Sequence, residues 1–199
     1  NDPDDAVPLY DQLVNDAPTP SLGAQAQKSK ADALFKQRQY LHAGDQYLAL
    51  IDYFPDSTLV PYAWYRIGVC HLEMAQWVGR GTDQLKLAIA RFEDFLNNFS
   101  NHRLASKARE KLKFARTLRS AKYKRIAEYY LGAGRRPTAA FHYLHYMTQT
   151  LPDGKYGQWA DEQTSEIVEE EGNPPRGRVR PMELQGVTSA QSPKKEKVQ

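Results

Sequence analysis

Two histidines, His142 and His145, are the closest approach to a metal site in this 199-residue chain. At a spacing of three residues they share one face of a predicted helix, but a zinc site needs further protein ligands and none accompanies them. The acidic run at 169–171 is typical of a solvated helix end before Gly172, and not of paired catalytic carboxylates. The sequence also lacks a Gly-rich phosphate loop and a G-x-S-x-G motif. We therefore predict no catalytic centre, no metal and no cofactor.

Aromatic and arginine side chains favour protein binding instead. Both types provide a large contact area at a modest entropic cost, so they are the usual anchors of protein interfaces. They are most crowded between residues 121 and 152. The partner-binding residues that we predict there are Tyr129, Arg135, Arg136, Tyr143 and Tyr146.

A second candidate surface is a concave groove nearer the N-terminus. In the usual geometry of a helical repeat, Phe35, Tyr62 and Tyr65 would project into it. The alternative is that Tyr62 and Tyr65 pack between neighbouring helical units, and the sequence supports the two interpretations equally.

The segment 121–152 must itself be two helices joined by a turn. Its break lies at 132–134, where Gly132 and Gly134 permit a tight turn, and Pro137 suits the first turn of the second helix. That helix places apolar residues at positions i, i+4 and i+7, and it ends before Pro152.

The same helical pattern occurs three times in the chain. Each copy has a small residue, large apolar residues four and seven positions later, a stop, and an alanine that opens the next helix. The three copies are Ala43-Tyr47-Leu50-Ala63, Ala88-Phe92-Phe95-Ala108 and Ala140-Leu144-Met147-Ala160. This arrangement is typical of tetratricopeptide repeats, although the offsets exceed the usual period of about 34 residues. An insertion at 74–84 and one long helix near 102–131 account for the extra length.

We therefore predict an all-α, tetratricopeptide-like repeat array (an α-solenoid) of about seven helices. Residues 1–22, rich in proline and aspartate, are expected to be extended or disordered, 23–171 to form the repeat domain, and 172–199 to be a flexible basic tail. A net charge of +3 is too small to indicate nucleic-acid binding. The single cysteine, Cys70, excludes an intrachain disulfide and is predicted to be a small buried residue.

Short motifs follow one another in a fixed order over residues 24–167. They are YFPDS at 53–57, YRIG at 65–68, Arg80 with Asp83-Gln84, AEYY at 127–130 and LPD at 151–153. Their order and spacing resemble the BamD family, the outer-membrane assembly lipoproteins of Gram-negative bacteria. The chain departs from the family in having three clear units where five are usual. It also has Tyr123 where the family tends to carry Glu, and Tyr143 where it often carries an Arg that contacts the barrel-assembly partner.

The resemblance implies a non-enzymatic scaffold on the periplasmic face of the outer membrane. Its partners would be the periplasmic domains of the β-barrel insertase, other subunits of the assembly complex and unfolded outer-membrane protein segments, with no nucleic acid among them. It also implies membrane contact through an N-terminal lipid anchor, which we do not expect to lie within residues 1–199. The alternative function is that of another tetratricopeptide adaptor in cell-envelope or division complexes.

Overall fold

The computed structural model describes residues 3–17, 19–77, 82–132 and 136–171, and every regular element in these ranges is an α-helix. The helices are α1 (Pro3–Asn15), α2 (Pro20–Lys36), α3 (Tyr40–Tyr53), α4 (Val60–Trp77), α5 (Thr82–Asn98), α6 (Ala105–Leu131), α7 (Pro137–Thr150) and α8 (Lys155–Glu171). Each helix packs against the next one along the chain. The predicted all-α repeat array is confirmed.

The three sequence copies occupy equivalent buried positions. The apolar residues of the copies on α3, α5 and α7, and the alanine that follows each of them, are all fully buried; they are Ala43, Tyr47, Leu50, Ala63, Ala88, Phe92, Phe95, Ala108, Ala140, Leu144, Met147 and Ala160. They belong to three successive core clusters, in which the small residues allow close helix approach and the large ones fill the space between helices. The repeat pattern is therefore the packing pattern of the array.

Helix α6 is the long helix that the sequence predicts near 102–131. It runs for 27 residues and contacts α5, α7 and α8. Its first half, through Ala108 and Ala115, belongs to the second core cluster, and its second half, through Tyr123 and Ala127, belongs to the third. A single helix thus joins the second core cluster to the third.

The N-terminal segment differs from the prediction of an extended or disordered chain at 1–22. Residues 3–15 form α1, which raises the helix number in the described ranges to eight, and α2 already begins at Pro20. The reason is tertiary: Val7 packs against the first core cluster, and Asp11 pairs with Lys30 on α2. Composition alone favours disorder here, but contact with a neighbouring helix overrides weak local preference. The predicted tail at 172–199 and residues 78–81 of the predicted insertion at 74–84 lie outside the described residues.

Candidate partner-binding surfaces

A cluster of tyrosines joins α6 to α7. Tyr123, only 4% exposed, forms edge-to-face contacts with Tyr143 and Tyr146, whose ring centroids lie 5.0 and 4.9 Å away. Tyr143 also stacks on Tyr130 at 6.1 Å. Such ring pairs stabilise packing beyond the area that they bury. Tyr143 and Tyr146 are therefore half-buried, and part of each ring serves to hold the two helices together.

The end of this hairpin carries more exposed side chains. Tyr129 is 64% exposed, and its ring contacts the ring of Tyr130, with 5.5 Å between the centroids. The backbone N–H of Arg136 donates to the carbonyl of Tyr130 at 2.9 Å, which brings the start of α7 to the end of α6 while the Arg136 side chain stays exposed. We call Tyr129, Tyr130 and Arg136 the hairpin tip. Arg135 lies outside the described residues.

Arg119 joins the tyrosine cluster from one turn earlier on α6. Its Nη2 donates to the Tyr123 hydroxyl at 2.8 Å, and its guanidinium lies over the Tyr146 ring, 4.0 Å from the centroid. The sequence motifs do not single this residue out. The available signal was its spacing, because a residue four positions before Tyr123 on a helix lies directly beside it.

Arg119 also lines an open cleft between α5, α6 and α7, which we call the α5–α7 cleft. Its volume is about 310 Å³. The lining residues are Ile89, Glu93, Arg116, Arg119, Tyr146, Gln149 and Thr150. Burial raises the pKa of Tyr146, and the positive charges of Arg119 and Arg116 act against that rise. The cleft therefore carries a positive potential on its α6 side.

A different polar cluster lies at the N-terminal end of the array, around Asp32 on α2. The Tyr47 and Tyr62 hydroxyls both donate to its Oδ1, the latter at 2.8 Å, and Lys28 Nζ donates to Oδ2 at 2.6 Å. Arg66 Nε donates to the Tyr47 hydroxyl at 2.9 Å. We call these five residues the Asp32 network. Side chains from α2, α3 and α4 thus meet at one carboxylate.

The electrostatic consequences of this network follow from its geometry. Burial alone would raise the pKa of Asp32, but hydrogen bonds from Lys28, Tyr47 and Tyr62 outweigh it, and the pKa lies below the ordinary value of 3.8. Burial raises the pKa of Tyr62 to about 12. The positive charge of Arg66 opposes this rise, and the negative charge of Asp32 adds to it. Asp32 is therefore ionised and both tyrosines are protonated donors at neutral pH.

The predicted groove residues do not share one environment. The ring of Phe35 is half-buried beneath the Arg66 guanidinium, 3.8 Å from the ring centroid, and Tyr62 belongs to the Asp32 network. Tyr65 is only 9% exposed and packs against the rings of Phe92 and Phe95, at 6.0 and 6.1 Å. For Tyr65 the packing interpretation is the correct one, because the inward side of α4 meets α5 at that position.

The two histidines on α7 are placed beside aromatic rings. His142 forms an edge contact with Tyr143 at 5.5 Å, and His145 stacks on Phe141 at 6.2 Å. Burial lowers the pKa of His142, and the positive charges of Arg119 and Lys86 lower it further. In the described part of the chain, no three His, Cys, Asp or Glu side chains are grouped as a metal would require.

Fold and surfaces together define a tetratricopeptide-type helical-repeat protein with aromatic and cationic side chains at both ends of its array. The chain belongs to the YfiO family of outer membrane lipoproteins, whose model matches residues 1–171. The predicted resemblance to the BamD family is thereby confirmed. Comparison with curated proteins yields no match to the chain. Among the helices that the structure describes, none combines the length and the apolar character needed to cross a bilayer.

Proposed function

We propose that the protein is a non-enzymatic scaffold of the outer-membrane β-barrel assembly machinery, lipid-anchored at the periplasmic face of that membrane. The observation that carries the proposal is the match to an outer membrane lipoprotein family over the entire helical array. A stack of helices whose repeated residues serve packing leaves its remaining surface available for binding, as is usual for repeat proteins.

The hairpin tip is the surface that we assign to the insertase's periplasmic domains. Tyr129 exposes most of a large aromatic ring, and burial of such a ring in a partner's pocket is a common source of binding energy. Arg136 adds an exposed charge to the same hairpin tip. The hydrogen bond from its backbone N–H to the carbonyl of Tyr130 holds the start of α7 at the end of α6. The half-buried rings of Tyr143 and Tyr146, and Arg135, would lie toward the edge of this interface.

The N-terminal end offers a second contact, for an unfolded outer-membrane protein segment. Half-buried Phe35 and Tyr62 present apolar ring surface, and Lys28 and Arg66 lie over these rings with part of their charge accessible. A segment that alternates aromatic and polar side chains would find both kinds of contact here. Tyr65 is not part of this surface.

The test is capture by the immobilised periplasmic domains of the insertase, comparing the native protein with Tyr129→Ala and Arg136→Glu. Each substitution changes an exposed side chain, so the thermal midpoint should stay unchanged. We expect each to weaken binding at least about tenfold, the scale of one interface anchor. Tyr53→Ala and Arg103→Glu are the matched controls, since Tyr53 is 73% exposed on α3 and Arg103 is exposed before α6.

Two results would count against the proposal. If both tip variants bind as well as the native protein, the hairpin tip is not the interface. If the native protein itself is not captured, an adaptor role in another cell-envelope or division complex becomes the better explanation.

A further inference from the structure

Arg119 carries a half-buried positive charge with no acidic partner among the residues that the structure describes. In the described part of the chain no Asp or Glu oxygen lies within ion-pair distance of its guanidinium, which is held by the Tyr123 hydroxyl and by the rings of Tyr123 and Tyr146. Its Nε is buried and has no acceptor among the described residues. A cation removed from water in this way gains strongly from any anion that reaches it.

The neighbouring Arg116 shows the contrast. One helical turn earlier on α6, its Nη2 donates to Glu93 Oε1 on α5 at 2.7 Å. The two arginines line the same cleft, yet in the described ranges only Arg116 has a carboxylate partner. Counting these described residues, the cleft has one positive charge without an ion-pair partner.

The dimensions and walls of the cleft suit a peptide side chain. Its volume of about 310 Å³ is at the lower end of the range of about 300–1,000 Å³ typical of ligand pockets, and it is open to solvent. Gln149 and Thr150 on α7 provide side-chain hydrogen-bonding groups, and Ile89 on α5 provides an apolar wall. These are the features that would orient a short polar segment with a charged end directed at Arg119.

We propose that the α5–α7 cleft binds an acidic side chain, Asp or Glu, on an extended segment of a partner protein, with Arg119 as the cation that its carboxylate contacts. A carboxylate carries one negative charge, which matches the one uncompensated arginine. A phosphate group fits less well, because it would bring a second negative charge into a cleft that Glu93 also lines. Residues 172–199 of this chain contain six Lys and Arg against two Glu, so their net positive charge makes them a less favourable occupant than an acidic segment of a partner. The proposal depends on the cleft alone and not on which partner presents the acid.

The experiment is a titration of the full chain, followed by NMR, with a capped hexapeptide that carries one central Glu. The side-chain amide of Gln149 and the Nε–H of Arg119 report on the cleft. We expect saturable shifts of both signals. The same peptide with Gln in place of Glu should bind at least about tenfold more weakly, because its neutral amide oxygen can still accept from the guanidinium but the attraction between two opposite charges is lost. Arg119→Gln should weaken the binding of the Glu peptide to the same degree, as measured by the shift of the Gln149 side-chain amide signal.

Arg125→Gln is the matched control. It removes the same charge from an exposed position on the same helix, so Glu-peptide affinity should stay within about twofold of native. An equal loss in both variants would show a general charge effect and overturn the proposal, as would equal binding of the Glu and Gln peptides. Tighter binding of inorganic phosphate than of the Glu peptide would identify an anion site of another kind. If Arg119→Gln does not fold, the comparison of the two peptides on the native protein still decides.

Discussion

Replacing Asp32 by Asn tests whether the Asp32 network stabilises the array through its charge. Asn keeps the size of the side chain and one carbonyl oxygen, so the Tyr47 and Tyr62 hydroxyls still have an acceptor. The amide places donors toward Lys28 Nζ, which is itself a donor and lies 2.6 Å from Oδ2 in the native protein. The substitution therefore removes charge while leaving most of the packing in place.

The expected loss is about 2 kcal/mol in the free energy of unfolding at pH 7. A hydrogen bond to an ionised group contributes about 1.5–3 kcal/mol, and one to a neutral group about 0.5–1.5 kcal/mol. The bonds from the Tyr47 and Tyr62 hydroxyls would each weaken by the difference, about 1 kcal/mol, which gives about 2 kcal/mol for the two. The pair with Lys28 adds at most a few tenths, because 28% of the Lys28 and 22% of the Asp32 side chain are exposed and solvent screens their attraction.

The stability difference between the native protein and Asp32→Asn should depend on pH. The pKa of Asp32 is lower in the folded than in the unfolded protein, so its stabilisation is complete above the ordinary pKa of 3.8 and is lost as the pH falls through the lower folded value. Native protein and Asp32→Asn should therefore differ most at neutral pH, and their difference should shrink as the pH falls below 3.8.

Urea denaturation followed by circular dichroism between pH 7 and pH 2.5 measures this difference. Asp45→Asn, which alters an exposed carboxylate on α3, is the control and should change the unfolding free energy by less than about 0.5 kcal/mol at every pH. A loss for Asp32→Asn that is the same at both ends of the pH range would refute the reasoning, since it would have to come from packing and not from charge.

Two further predictions concern the core. Gly68→Ala should lower the unfolding free energy by about 1 kcal/mol, because the added Cβ would lie 2.8 Å from the fully buried Phe92 ring. Gly44→Ala should raise it by about 0.5–1 kcal/mol, because there the Cβ would meet nothing nearer than 3.9 Å. Equal effects of the two substitutions in urea denaturation would contradict this. Cys70, only 1% exposed and with a pKa raised to about 12 by burial, should react with a thiol reagent only after unfolding; fast labelling of the native protein at pH 8 would show that α4 opens locally.

The core of the array could be predicted from the sequence because it depends on local periodicity. Alanine followed by large apolar residues at four and seven positions marks the same buried face in α3, α5 and α7. The long α6 was equally visible, since no Gly or Pro interrupts residues 102–131. In both cases the information lies within one helix and its immediate neighbour.

The polar clusters were not predictable in the same way. Asp32 meets Tyr47 and Tyr62 across 15 and 30 residues of sequence, and no periodicity within α2 indicates that its carboxylate will be their shared acceptor. Helix α1 was missed for a related reason. Its prolines and aspartates argue against helix locally, and only the contact of Val7 and Asp11 with the rest of the fold offsets that preference.

Arg66 and Arg119 show how one residue type takes different roles in the two halves of the array. Each guanidinium lies over an aromatic ring, at 3.8 Å from Phe35 and 4.0 Å from Tyr146. Arg66 has a carboxylate of its own fold at 3.9 Å, so much of its charge is balanced internally and its loss would chiefly cost stability. Arg119 has no such carboxylate among the described residues, so its charge remains available to a ligand. Stability measurements should therefore respond most to the Asp32 network, and binding of acidic segments most to the α5–α7 cleft.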